Sequence, residues 1–252
     1  MVQTIDLESG AKLVISSVQE NAKGTIVICP GGGYGWLSPR EGMPIANAFR
    51  AYGWDAAILH YTCYDDEKGE RLGTKPLRQL GEAVQTAKTL HPGKPVIVCG
   101  FSAGGHLAAS IGVHWKTLDL PRPDAMVLSY PVISSGEFAH RGSMEHLAEK
   151  EEQEFFSLEK HVGAHVPPAF IWHTAADQTV PVENSLMFAA ALSSAKVPFE
   201  LHVFPNGVHG LSLATPEVAE EGRKPDAHVA QWVSLCAKWL DMQHKNYIKS
   251  GR

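Results

Sequence analysis

Val96-Ile97-Val98-Cys99-Gly100-Phe101-Ser102-Ala103-Gly104-Gly105-His106-Leu107-Ala108-Ala109 is the stretch that decides the fold. A short β-branched apolar run leads into a glycine-punctuated turn with a serine at its centre, and small helix-forming residues follow. Strand, turn and helix around Gly-x-Ser-x-Gly are the setting of a nucleophile elbow, in which the serine hydroxyl stands exposed above the sheet. Such a turn is strained and tight, so side chains at Gly100 and Gly104 would collide with the neighbouring strand and helix. The helix that begins after Ser102 brings free N–H groups and a positive dipole end near the hydroxyl. The plainer reading is a glycine-rich turn with an incidental serine, and the rest of the chain decides between them.

Outward from this turn the sequence alternates strands with helices. Residues 2–7 and 12–17 alternate apolar and polar and read as an antiparallel hairpin. Residues 25–29 form a continuous apolar run, as expected of a strand buried on both faces. It ends in Pro30-Gly31-Gly32-Gly33-Tyr34, which neither a helix nor a strand tolerates. Helices are expected at 44–52, 77–90, 103–112, 182–195 and 229–243, and further strands at 55–59, 125–130, 169–174 and 199–204. Residues 135–165 break the rhythm; they are polar, rich in Glu and His, and carry a helical stretch at 149–156. The pattern predicts a mostly parallel central sheet with helices on both faces, in one α/β domain over 1–252 with an insertion at about 135–165.

The chain has 252 residues, enough for one α/β core. Its net charge of -5 gives no basic footprint for nucleic acid. No apolar run has membrane-spanning length. The first residues lack the basic segment and apolar core of a secretory signal, so a cytoplasmic location is expected. Four cysteines, at 29, 63, 99 and 236, show no metal or redox spacing, and Cys29 and Cys99 are expected to be buried thiols. A homodimer is the base-rate expectation for an assembly.

A serine hydroxyl needs a base, and the base needs a group to orient it. Among 13 histidines the best placed is His209, in the glycine-flanked loop after the strand expected at 199–204. Asp177 lies in the loop after the strand at 169–174, where it either orients that histidine or merely caps the helix that follows. In open α/β sheets, sites form at the carboxyl ends of strands, and Ser102, Asp177 and His209 all fall just past such ends. The chain order serine, aspartate, histidine is that of α/β-hydrolases. Ala103 N–H is one expected oxyanion donor, and the glycine loop supplies Gly32 and Gly33, with Gly31 in reserve. Tyr34, Arg40, Tyr130 and Val180 are expected substrate-binding side chains, and Trp36 and Tyr61 also lie near strand ends. His106 and His173 read as structural, and no histidine has metal-ligand spacing.

Pro30-Gly31-Gly32-Gly33-Tyr34, Ser38-Pro39-Arg40-Glu41-Gly42, the elbow, Tyr130-Pro131-Val132-Ile133, His173-Thr174-Ala175-Ala176-Asp177 and Phe204-Pro205-Asn206-Gly207-Val208-His209-Gly210 together resemble the small α/β-hydrolase esterases described as acetyl xylan esterase-like. The resemblance spans about 25–240. It implies cofactor-free hydrolysis of a small-molecule ester, acetyl above all and often on a sugar, with Ser102 as nucleophile, His209 as base and Asp177 as acid. Two positions depart from relatives: Pro30 stands where the related hormone-sensitive-lipase group has the histidine of its HGGG loop, and Gln178 stands where an acidic residue is frequent. Ser38-Pro39-Arg40-Glu41 either shapes the pocket or has a buried structural role at Arg40 and Glu41. A serine peptidase of the prolyl-oligopeptidase type and a non-catalytic binding module are the competing readings.

Overall fold

In a computed structural model of the chain, describing residues 2–18 and 21–250, the apolar runs become strands. These are β1 (Val2–Asp6), β2 (Lys12–Ser16), β3 (Thr25–Cys29), β4 (Asp55–His60), β5 (Val96–Phe101), β6 (Ala125–Ser129), β7 (Ala169–Thr174) and β8 (Phe199–Phe204). They form one sheet in the order β1-β2-β4-β3-β5-β6-β7-β8. The β1–β2 hairpin is antiparallel and joins β4 antiparallel, while β4, β3 and β5 to β8 run parallel.

Every residue of β3, β5, β6 and β7 is buried, which explains their unbroken apolar runs. Their side chains alternate between two cores. Val27, Val96 and Val98 face the helices α2 (Lys75–Leu90), α3 (Ala103–His114) and α5 (Glu183–Ser194). Ile26, Ile97 and Phe101 face α1 (Met43–Ala51) and α6 (Trp232–Lys249). The right-handed crossovers of parallel strands require helices on both faces, and this sequence supplies apolar stripes for them.

Two boundaries differ from the sequence expectation for physical reasons. The closing helix starts with a 3-10 turn at Val229–Gln231 and then runs to Lys249, six residues beyond 243 and past its last buried residue, Leu240, with no Gly or Pro to stop it and with His244 packed edge-on against Trp54. In the insertion, the residues expected as a helix at 149–156 form a 3-10 segment, Lys150–Phe156, and an unexpected short helix α4 (Arg141–Leu147) precedes it. Met144, Leu147, Phe156 and Leu158 anchor the insertion in the first core. Asn184 on α5 ties it down further, its Oδ1 accepting the N–H groups of Ile133 and Ser134 at 2.9 and 3.0 Å.

The register brings the carboxyl ends of the central strands level: Cys29 lies beside Gly100, Phe101 beside Ser129, and Thr174 beside Phe204. The loops carrying the glycine run, Ser102, Tyr130, Asp177 and His209 therefore share one edge of the sheet. Among the described residues no helix is long and apolar enough to cross a membrane.

Candidate active site

Ser102 adopts φ 54 and ψ -119, a conformation that L residues avoid. It is held there from three sides. Its N–H donates to Ser129 O at 3.0 Å, and its carbonyl accepts from His106 N–H at 3.0 Å and Val132 N–H at 3.1 Å. Strain of this kind costs about 1–3 kcal/mol and persists where the surroundings over-determine it. The two elbow glycines have the roles the sequence suggested. A Cβ on Gly100 would land on the Gly104 carbonyl, and one on Gly104 would strike the carbonyl oxygens of Cys29 and Pro30 at the end of β3.

The three residues singled out past strand ends come together. Ser102 Oγ lies 2.8 Å from His209 Nε2, and His209 Nδ1 lies 2.6 Å from Asp177 Oδ2. A carboxylate only accepts, so the histidine proton sits on Nδ1 and Nε2 is free to accept from the serine. Asp177 Oδ1 accepts the N–H groups of Thr179 and Val180 at 2.9 and 3.0 Å. Burial alone would raise the Asp177 carboxyl, but hydrogen bonds from His173 and His209 outweigh it and hold the group well below the usual carboxylate range. His173, expected only to pack, is fully buried beside this carboxylate, with Nε2 3.4 Å from Asp177 Oδ2 and 3.0 Å from Val180 O.

The amide groups of the glycine loop are aimed by their neighbours. Carbonyl and N–H point in opposite directions across a trans peptide. Gly31 O accepts from Ser38 N–H at 2.9 Å, and Gly32 O accepts from Gly35 and Trp36 N–H at 3.0 and 3.3 Å. The N–H groups of Gly32 and Gly33 are thereby turned the other way, and Ala103 N–H is fixed likewise by the bonds to Ser102 O. None of these three N–H groups has a partner among the described residues. Gly31 differs, because its N–H donates to Glu41 Oε2 at 2.7 Å.

A cavity of about 470 Å³ opens over these groups and is lined by Gly32, Gly33, Ser102 and His209 among others. Of the four expected substrate-binding side chains only Arg40 lines it. Tyr34 and Tyr130 turn inward from left-handed backbones, with φ 65 and 37, and are buried. Tyr34 donates its hydroxyl to His106 Nδ1 at 2.8 Å. Tyr130 packs edge-on against His209, ring centroids 5.1 Å apart. Val180 is buried too and acts through its backbone. Arg40 and Glu41 reach different partners. Arg40 donates to Val218 O and Gly210 O at 2.7 and 2.8 Å, whereas Glu41 accepts from Gly31 and Tyr130.

Glu41, named from the sequence together with Arg40, is a buried carboxylate whose partners come from two other loops. Three residues of the site were not singled out by the sequence. Arg223 is one; it donates to His209 O at 2.9 Å. His140 and His146 of the insertion also line the cavity. No sequence spacing links any of them to Ser102. Among the described residues no group of three or more His, Cys, Asp or Glu is placed to hold a metal ion, and all four cysteines are free thiols.

A sequence model of the prolyl oligopeptidase family matches residues 64–245. Endo-1,4-beta-xylanase B of Butyrivibrio fibrisolvens is 40% identical over 210 residues, covering 76% of this chain and 33% of that protein. The acetylxylan esterase of Xylanibacter ruminicola is 28% identical over 225 residues, covering 82% of this chain and 45% of that protein. The chain thus spans a third and less than half of the lengths of these two curated relatives. The crystal structure of an acetyl ester-xyloside bifunctional hydrolase from Caldicellulosiruptor lactoaceticus superposes with a TM-score of 0.80 at 35% identity, covering 92% of this chain and 88% of that one. The chain belongs to the prolyl oligopeptidase family of α/β-hydrolases and is related there to acetylxylan esterases and carboxylesterases.

Proposed function

We propose that the chain is a serine carboxylesterase that hydrolyses short-chain acyl esters, acetyl esters of sugars or xylo-oligosaccharides among them. The observation that carries this reading is the unbroken line of hydrogen bonds from Ser102 through His209 to Asp177, beside three unpartnered amide N–H groups. His209 takes the Ser102 proton as Oγ attacks the ester carbonyl carbon. The N–H groups of Gly32, Gly33 and Ala103 receive the oxyanion. The alcohol leaves with the proton returned by His209, and Asp177 stabilises the imidazolium in between. Water then gives a proton to His209 and attacks the acyl-serine, releasing the acid and restoring the hydroxyl.

A sugar as the alcohol part is supported by two things. Trp36 lines the cavity and is 58% exposed, so a flat apolar face is open to a ligand. Relatives named for xylan, acetylxylan and acetyl esters point the same way.

The test is hydrolysis of 4-nitrophenyl esters from acetate to decanoate by the wild type and by Ser102→Ala. Acetate should be fastest, rates should fall with chain length, and the variant should lose about 10⁶ in turnover on the precedent of serine proteases. Near wild-type activity in Ser102→Ala would end this reading. A second reading, a peptidase, is favoured by the family model alone. Rapid cleavage of a chromogenic dipeptide amide with slow ester turnover would select it.

A further inference from the structure

His140 and His146 both lie against Gly33. A Cβ on Gly33 would sit 3.7 Å from His140 Cε1, and His146 Nδ1 is 2.7 Å from Gly33 O. The bonds they make fix their tautomers in opposite senses. A carbonyl oxygen accepts, so His146 carries its proton on Nδ1 and, as a neutral ring, presents a bare Nε2 acceptor. His140 Nδ1 accepts the backbone N–H of Ser143 at 3.3 Å and lies 2.8 Å from Ser143 Oγ. Its proton is therefore on Nε2, which is a donor. Neither Nε2 has a hydrogen-bond partner among the described residues, and both rings line the cavity that holds Ser102 and His209.

The rings are held in place. His146 stacks on Tyr64 with centroids 4.4 Å apart and planes 12° from parallel, and a Cβ on Gly35 would come within 3.2 Å of it. Ser143 is fully buried beneath His140. Burial lowers the His140 pKa, which keeps that ring neutral.

We propose that His140 and His146 form a fixed donor–acceptor pair that reads a free hydroxyl on the alcohol side of the ester. The inference rests on the esterase reading above and narrows its substrates to partly acylated polyols. An acetyl group offers nothing to either nitrogen once its carbonyl oxygen faces the amide donors. A hydroxyl both donates and accepts, so one hydroxyl donates to Nε2 of His146 while accepting from Nε2–H of His140. A plain alkyl ester leaves these polar atoms unpaired as it displaces their water.

The experiment compares 2-hydroxypropyl acetate with propyl acetate, which differ by one hydroxyl beside the ester. Wild-type kcat/KM should favour the hydroxyl-bearing ester by about tenfold, the worth of roughly one good hydrogen bond. In His146→Asn the side-chain amide can still donate to Gly33 O but offers no acceptor at the Nε2 position, and the preference should shrink toward unity. Equal wild-type rates on the two esters overturn the proposal, as does a preference that survives in His146→Asn. The wild-type comparison needs no variant to fold. Turnover of 4-nitrophenyl acetate, measured alongside, separates the two failures: none defeats the esterase reading itself, whereas turnover without the preference defeats only the histidine pair.

Discussion

Glu41 accepts the Gly31 N–H at 2.7 Å through Oε2, while its other oxygen takes the Tyr130 hydroxyl at 2.7 Å. This buried carboxylate ties the glycine loop to the ring that packs on His209, so the glycine-loop amides and His209 share one support. Glu41→Ala removes both acceptor oxygens, so the Gly31 N–H and the Tyr130 hydroxyl proton both go unanswered. On the proposed mechanism kcat should fall on the order of tenfold to a hundredfold, less than the 10²–10³ typical of removing a donor outright. KM should change little, and steady-state kinetics on 4-nitrophenyl acetate will read both. An unchanged kcat would show that the loop holds its shape without Glu41.

Two arginines grip the loop that carries His209. Arg223 Nε donates to His209 O at 2.9 Å, and Arg40 Nη1 donates to the next carbonyl, Gly210 O, at 2.8 Å. Glu220 pairs with both guanidinium groups. Arg223→Ala should lower kcat by about tenfold, the order that a modest misplacement of a reacting group costs. Arg223→Lys, a single donor at the end of a flexible stem, should recover only part of it. Full activity in Arg223→Ala would mean that Arg40 alone suffices, and the double variant would then carry the loss.

His106 supplies a pH dependence of stability. It is fully buried between Tyr34 and the Phe156 carbonyl, and burial lowers its pKa to about 4. The unfolded chain, with a histidine near the usual 6.5, binds this proton more readily than the native state. Its contribution is therefore fully present above pH 6.5 and is lost as pH falls from about 6.5 towards 4. His106→Asn should melt lower than wild type at pH 7.5 and lose less of its Tm between pH 7 and 5. Parallel Tm curves for the two proteins would remove His106 as a source of acid sensitivity.

How much of this was legible in the sequence depended on the range of the interaction. The strands were legible because β3, β5, β6 and β7 are buried on both faces and are apolar at nearly every position, with polar residues only at or next to their ends. Ser102, Asp177 and His209 were legible because each lies in the loop or turn after a parallel strand, and a parallel sheet gathers such positions by topology alone. Helix α4 was hidden. It has seven residues and buries Ser143, Met144 and Leu147, too few for a period to stand out. The lining of the cavity was hidden for another reason. Whether Tyr34 or Tyr130 faces a ligand or the core goes with the left-handed backbone each tyrosine itself adopts, which residue type does not announce. Glu41 and Tyr130 are 89 positions apart, and only the folded chain shows why a carboxylate is buried there.

The central claim is that Ser102 is the residue that carries the acyl group, and covalent labelling tests it most directly. The wild-type protein would be treated with a fluorophosphonate, which reacts with activated serines, then digested and mapped by mass spectrometry. One adduct per chain, on Ser102, with none in His209→Ala, is the predicted result. An adduct on a different residue, or no adduct on the folded wild type, would contradict the account.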